Sequence, residues 1–160
     1  MIKNHNMIDG IKITPLKQIE DERGKIMHML RNDSNNFSKF GEIYFSTIHP
    51  NKVKGWNLHQ KITLNYAVIF GEIKFVLYDS RPNSKTKGQV QEFFLSQKNY
   101  KLITVPPLIW SGFKGIGKDL AIVANCTDFP HDEKEMSRKS PSDNSIPYNW
   151  DKDINKKSFD

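Results

Sequence analysis

Cysteine is almost absent from this 160-residue chain, and the single one, Cys126, cannot close an internal disulfide. That excludes a disulfide-stapled scaffold and fits a reducing compartment. Its neighbours, Leu120-Ala-Ile-Val-Ala-Asn, mark it as a buried small hydrophobe rather than a nucleophile. Long apolar runs are absent too: nowhere does the chain approach the roughly 18 consecutive apolar residues that suggest a membrane helix. The opening Met1-Ile-Lys-Asn-His-Asn-Met7 has no apolar stretch and no small-residue cleavage site. No secretory signal is read there, and a cytoplasmic location with no membrane partner is expected.

Blocks of one charge are also missing. Lys plus Arg number 24 against 18 Asp plus Glu, a formal charge of +6, but the lysines fall singly in turns and strand flanks. The one tight group, Lys152 to Lys157, is diluted by Asp151, Asp153 and Asp160. With no zinc spacing, no recognition-helix pattern and no basic stripe interleaved with aromatics, nucleic acid is not the expected partner. The same positive potential suits a small anion such as a nucleotide diphosphate.

Helix signals are scarce, confined to short turns at Asn35 to Lys39 and His131 to Met136. What is abundant is the short run rich in Val, Ile, Phe, Tyr and Thr, bounded by Gly, Pro, Asn, Asp and Ser. Such runs cover 11–14, 24–30, 41–48, 53–59, 64–70, 73–78, 91–95, 100–105 and 120–126. Nine or so strands without βαβ alternation predict an all-β fold, a single-domain jelly roll. Residues 1–150 form that domain, with Tyr148 and Trp150 packed on its body, and 151–160 form a polar C-terminal tail.

Several segments resemble one family. Ile11-Lys-Ile-Thr-Pro-Leu-Lys-Gln-Ile-Glu-Asp-Glu-Arg-Gly24, Val53-Lys-Gly-Trp-Asn57, Phe70-Gly-Glu72 and Asp79-Ser-Arg-Pro-Asn-Ser-Lys-Thr-Lys-Gly88 are similar to the dTDP-4-dehydrorhamnose 3,5-epimerase family. So are Leu95-Ser96, Val105-Pro-Pro107 and Cys126-Thr-Asp128, in the same order. The resemblance implies a metal-free cupin, that is a double-stranded β-helix, without a cofactor. It further implies a homodimer that shares strands and inverts carbons 3 and 5 of a 4-keto sugar on a nucleotide diphosphate.

A proton beside a ketone can be removed when a base stands on one face and a cation or hydrogen-bond donor holds the enolate; an acid on the other face then returns a proton. In the family, the resemblance implies, the base is the His of an Arg-Gly-Leu-His strand, a Lys supports the enolate and a late Tyr is the acid. Carried over, the base position holds Asn57, the Lys position Leu64, a second His position Ser111, and the Tyr position Phe129. Four titratable groups of one pocket are gone together.

Two readings stand. In the first the pocket is rebuilt: His59 shares a strand face with Asn57 and serves as base, and Tyr66 on the face of Leu64 serves as acid or enolate donor. Against this, His59 is an inward polar residue bonded to a neighbouring strand, and Tyr66 a core aromatic with a satisfied hydroxyl. In the second reading the chain keeps the ligand site and loses the reaction, becoming a catalytically degenerate binder of a nucleotide sugar or of a partner protein. Either way Arg23 and Lys54 are expected on the phosphates, Asn57 and Ser111 on the sugar, and Trp110 as a wall of the sugar pocket; a loop-pinning bridge to Asp21 or Glu22 is the alternative for Arg23. Arg81 is read either on the ligand or in a loop-pinning bridge to Asp79. A metal site is not expected, because of the ligand positions of cupins only His59 is kept: Asn57 replaces the first histidine, no Glu stands at the third place, and Ser111 takes the last. The expected activity is that of an isomerase of nucleotide sugars in surface polysaccharide synthesis.

Overall fold

The structure, a computed structural model, describes residues 7–152. Twelve strands follow one another: β1 (Lys12–Pro15), β2 (Gln18–Asp21), β3 (Gly24–Met27), β4 (Glu42–Ile48), β5 (Val53–His59), β6 (Leu64–Phe70), β7 (Glu72–Asp79), β8 (Val90–Ser96), β9 (Lys101–Val105), β10 (Ile109–Gly115), β11 (Ala121–Thr127) and β12 (Met136–Arg138). One sheet runs β1-β9-β6-β11-β4 and the other β12-β5-β10-β7-β8, while β2 and β3 pair apart as a hairpin. This is the expected all-β jelly roll. Among the described residues no helix is long and apolar enough to cross a membrane.

The sheets press their inner faces together over a core that includes Leu64, Val68, Phe75, Leu77, Ile103, Val105, Phe113 and Val123. Most of these lie two apart on their strands, the alternation that a half-buried strand imposes. A second cluster lies outside the second sheet, where Trp56, Leu58, Val76 and Trp110 are covered by Ile146 and Trp150 of the C-terminal segment. Two glycines make that cover possible. A Cβ on Gly112 would stand 3.1 Å from the Trp150 ring, and one on Gly55 would stand 3.0 Å from the Gly112 backbone.

At the same place the β5–β10 register slips between Ser111 and Gly112. Gly55, Trp56 and Leu58 consequently face outward, while Lys54, which pairs with the core residue Phe113, shares the inner face with Asn57 and His59.

Three strands lie outside the expected set. β10 carries two glycines and follows Pro106-Pro107, yet it sits in mid-sheet between β5 and β7. β2 forms the first arm of the hairpin. β12 occupies the end of a segment expected to be a helical turn, which instead holds one 3₁₀ turn, Glu133–Glu135, capped by Asp132, before turning extended. Asn35 to Lys39 forms no helix, only a turn closed from Phe37 N–H to the Ser34 carbonyl at 3.0 Å. Of the expected tail, Asp151 and Lys152 bond back to the body, accepting from Lys114 at 2.9 Å and Lys74 at 3.3 Å; positions 153–160 lie outside the described residues.

Candidate active site

A cavity of about 270 Å³ opens where the edges of the two sheets face each other. Glu42 and Tyr44 of β4 form one wall, Asn57 and His59 of β5 the other, with Tyr66 of β6, His131 and Met136 completing it. Strand parity delivers these groups: on β4, Glu42, Tyr44 and Ser46 turn inward, while Ile43, Phe45 and Thr47 are exposed.

His59 is buried, and its Nδ1 is hydrogen-bonded to Glu135 Oε1. β12 brings the carboxylate there by pairing Met136 with His59, so Glu135 falls at the mouth of the strand pair. The other oxygen of Glu135 accepts the backbone N–H groups of Gln60 at 2.9 Å and Lys61 at 3.1 Å. Burial pushes the Glu135 carboxyl up, but the His59 bond and these backbone bonds outweigh it and hold the group below its ordinary value. An ionised carboxylate only accepts, so the shared hydrogen belongs to Nδ1, and in the neutral imidazole the lone pair then lies on Nε2. Such a histidine is oriented to take a proton.

Across the cavity, Tyr44, Asn125 and Tyr66 form one row over β4, β11 and β6. Asn125 Oδ1 accepts the Asn65 N–H at 3.0 Å, which turns its amide nitrogen to the Tyr44 oxygen at 2.8 Å. Tyr66 is wedged against Phe75, ring centroids 4.8 Å apart, and against Phe113 at 6.3 Å. Burial raises the Tyr66 hydroxyl well above the ordinary tyrosine value, and neighbouring Tyr44 adds to the rise. Burial also raises Tyr44, while bonds from Asn125 and Tyr66 draw it partly back.

The structure thus brings together His59, Asn57 and Tyr66, three of the residues expected at the site. Ser111 is opposite Asn57 in register and fully buried behind it, its Oγ at 3.5 Å from the Asn57 carbonyl. Lys54 is exposed on the inner face of the same strand. Arg23 is not brought to this cavity: it sits at the β2–β3 turn, its side chain 82% exposed and paired with Asp21 at 2.6 Å.

Arg81 pins its own loop. Its guanidinium meets Asp79 at 2.9 Å through both Nε and Nη2, and the Asp9 carbonyl at 2.7 Å. Trp110 is placed otherwise than expected as a sugar wall. Its register partner is Leu58, so its ring joins the outer cluster and lines a separate cleft with Arg81 and Lys139, on the far face of β5 from His59. A larger concavity, about 980 Å³ beside the β2–β3 hairpin, is lined by Lys25, Lys98, Lys118 and their neighbours and holds no histidine or tyrosine. Among the described residues no group of three His, Cys, Asp or Glu side chains is placed to hold a metal ion.

Glu135 and Tyr44 were not among the expected site residues. A third unforeseen feature is a pair of cations, Lys39 at 3.4 Å and Lys61 at 5.4 Å from the centre of the Phe129 ring. That ring stands two residues before His131, whose backbone N–H donates to the Glu42 carboxylate at 2.7 Å on the cavity rim.

Comparison with known proteins gives this geometry a lineage. A dTDP sugar isomerase from Desulfovibrio desulfuricans is 43% identical, with a TM-score of 0.88 over 90% of this chain and 92% of that one. The spore coat polysaccharide biosynthesis protein SpsL of Bacillus subtilis is 29% identical over 146 residues, 90% of this chain and 97% of that one. A 3,5-epimerase from Legionella pneumophila in complex with dTDP-4-keto-L-rhamnose, 22% identical, shares the fold at a TM-score of 0.79 over 90% and 80% of the two chains. The model of the family described as dTDP-4-dehydrorhamnose 3,5-epimerase matches residues 5–160, and the chain belongs to that family.

Proposed function

We propose that this protein is a nucleotide-sugar epimerase of polysaccharide synthesis, acting on a 4-keto-hexose carried by a nucleotide diphosphate. His59 removes the proton beside the ketone, and a phenol of the facing sheet returns one. The observation that carries this reading is the His59–Glu135 pair, which fixes the imidazole with Nε2 free on one side of a sugar-sized cavity whose other side bears tyrosines. The pair also answers the loss of the four titratable groups that the family resemblance implies, because it supplies a base two residues from Asn57.

Asn57 offers an amide to the enolate oxygen, with Ser111 behind it. Lys54, on the same strand face, offers charge to the diphosphate. Two chains are expected to act together. β4 ends its sheet and exposes Ile43 and Phe45, and the hairpin exposes Ile19 and Ile26, a combination of free edge and apolar surface that a second copy would cover.

The names of the relatives agree with this role: SpsL is a spore coat polysaccharide protein, and a 27% identical protein of Haloferax volcanii is a probable low-salt glycan biosynthesis epimerase. The competing reading, a binder without activity, draws on the replacements at Asn57, Leu64, Ser111 and Phe129. Incubation with dTDP-4-keto-6-deoxyglucose, followed by proton NMR of the sugar, separates the two. Epimerised product supports the enzyme, and saturable binding of dTDP without any new sugar signal supports the binder.

A further inference from the structure

The two phenols in the cavity differ in their partners and in their access to it. Tyr44 Oη already accepts the Asn125 amide at 2.8 Å, and the orientation of that amide is set by Asn65 on its other end. The Tyr66 hydroxyl neighbours the same oxygen, an interaction that draws Tyr44 down and Tyr66 up. A phenol oxygen that accepts the Asn125 amide still carries its own hydrogen to donate.

Access follows the same division. Tyr66 is 8% exposed and packed on Phe75 and Phe113, whereas Tyr44 is half-buried on the edge strand that forms the wall opposite His59. Loss of the Tyr44 proton would leave a phenolate held by the Asn125 amide, the arrangement that lets a partly buried acid release a proton.

We infer that Tyr44 is the catalytic acid, delivering its hydroxyl proton to the face of the sugar opposite His59, with Asn125 and Tyr66 as the residues that position it. This rests on the epimerase reading above. The step is balanced: His59 Nε2 takes the proton from the carbon beside the ketone, and the C–H electron pair becomes the enolate double bond. As the ketone re-forms, the same carbon takes the proton from Tyr44 on its other face. Tyrosinate and imidazolium remain, and solvent restores both.

The test is incubation of unaltered protein, Tyr44→Phe and Tyr66→Phe with dTDP-4-keto-6-deoxyglucose in deuterated water. Deuterium and configuration are read at the carbons beside the ketone. Tyr44→Phe is expected to keep taking up deuterium with retained configuration, because His59 still removes a proton and returns a deuteron to the same face, while inverted product falls about 100-fold or more. Tyr66→Phe is expected to slow uptake and inversion together and modestly. The assignment is overturned if Tyr44→Phe still inverts at the unaltered rate, if it loses uptake and inversion in equal proportion, or if Tyr66→Phe alone separates the two. No deuterium uptake by the unaltered protein overturns the epimerase reading itself, and the assignment with it.

Discussion

Glu135 reaches His59 from 76 residues away, and its two oxygens are fully engaged by the imidazole and by the backbone of Gln60 and Lys61. A histidine held in this way has one tautomer and one orientation. Replacing Glu135 by Gln keeps the size but offers the imidazole a neutral partner that no longer stabilises the charged form. Turnover is expected to fall about 100-fold with KM for the nucleotide sugar little changed, in steady-state assays by NMR. Unchanged turnover would mean that the pair is structural.

The same carboxylate ties stability to pH. Glu135 is held below its ordinary value, and so is Asp79, whose burial is outweighed by bonds from Arg81, Ser84 and Thr86. A lowered folded value means that the unfolded chain binds the proton more tightly. The stabilisation is therefore complete above the ordinary carboxylate range and is lost as pH falls through it and below. Thermal melts between about pH 3 and pH 7 should rise with pH for the unaltered protein, and less steeply for Glu135→Gln and Asp79→Asn. Parallel curves would contradict this.

Much of the fold was legible in the sequence, because β-branched and aromatic runs between turn residues mark strands by local chemistry. β10 was not, since its Gly112 answers to Trp150, a residue far along the chain. Glu135 was missed for a related reason: its segment has the composition of a turn, and only pairing with β5 makes its end a strand. Tyr44 was hidden by an inverted pattern, since β4 turns Ile43 and Phe45 to solvent and Glu42 and Tyr44 inward. His59, Asn57 and Tyr66 were reachable because the family resemblance marks Asn57 and Leu64 as inward, and strand parity then puts His59 and Tyr66 on the same faces.

The cover over the second sheet sets a stability test. Trp150 is 7% exposed and its ring meets Trp56 with centroids 4.8 Å apart, while its carbonyl accepts from Lys74 at 3.1 Å and Lys114 at 3.2 Å. Trp150→Ala is expected to cost about 3–5 kcal/mol in urea unfolding. Gly112→Ala, which pushes a methyl toward the same ring and the Lys54 carbonyl, should cost about 1–3 kcal/mol.

Cations divide between ligand and loop. Lys54→Ala is expected to raise KM for the nucleotide sugar about tenfold, an effect that added salt diminishes. Arg81→Ala should instead lower the melting temperature and leave KM nearly unchanged, because its donors serve Asp79 and Asp9. The opposite pattern would move the phosphate site to the outer cleft of Trp110.

The central claim, that His59 removes the proton beside the ketone, meets its most direct test in solvent exchange. Unaltered protein and His59→Ala are each incubated with dTDP-4-keto-6-deoxyglucose in deuterated water, with folding of the variant verified by circular dichroism. Deuterium should enter the sugar with the unaltered protein and enter it about 100-fold to 10,000-fold more slowly with His59→Ala. A folded His59→Ala variant that exchanges the proton at the unaltered rate would contradict the claim.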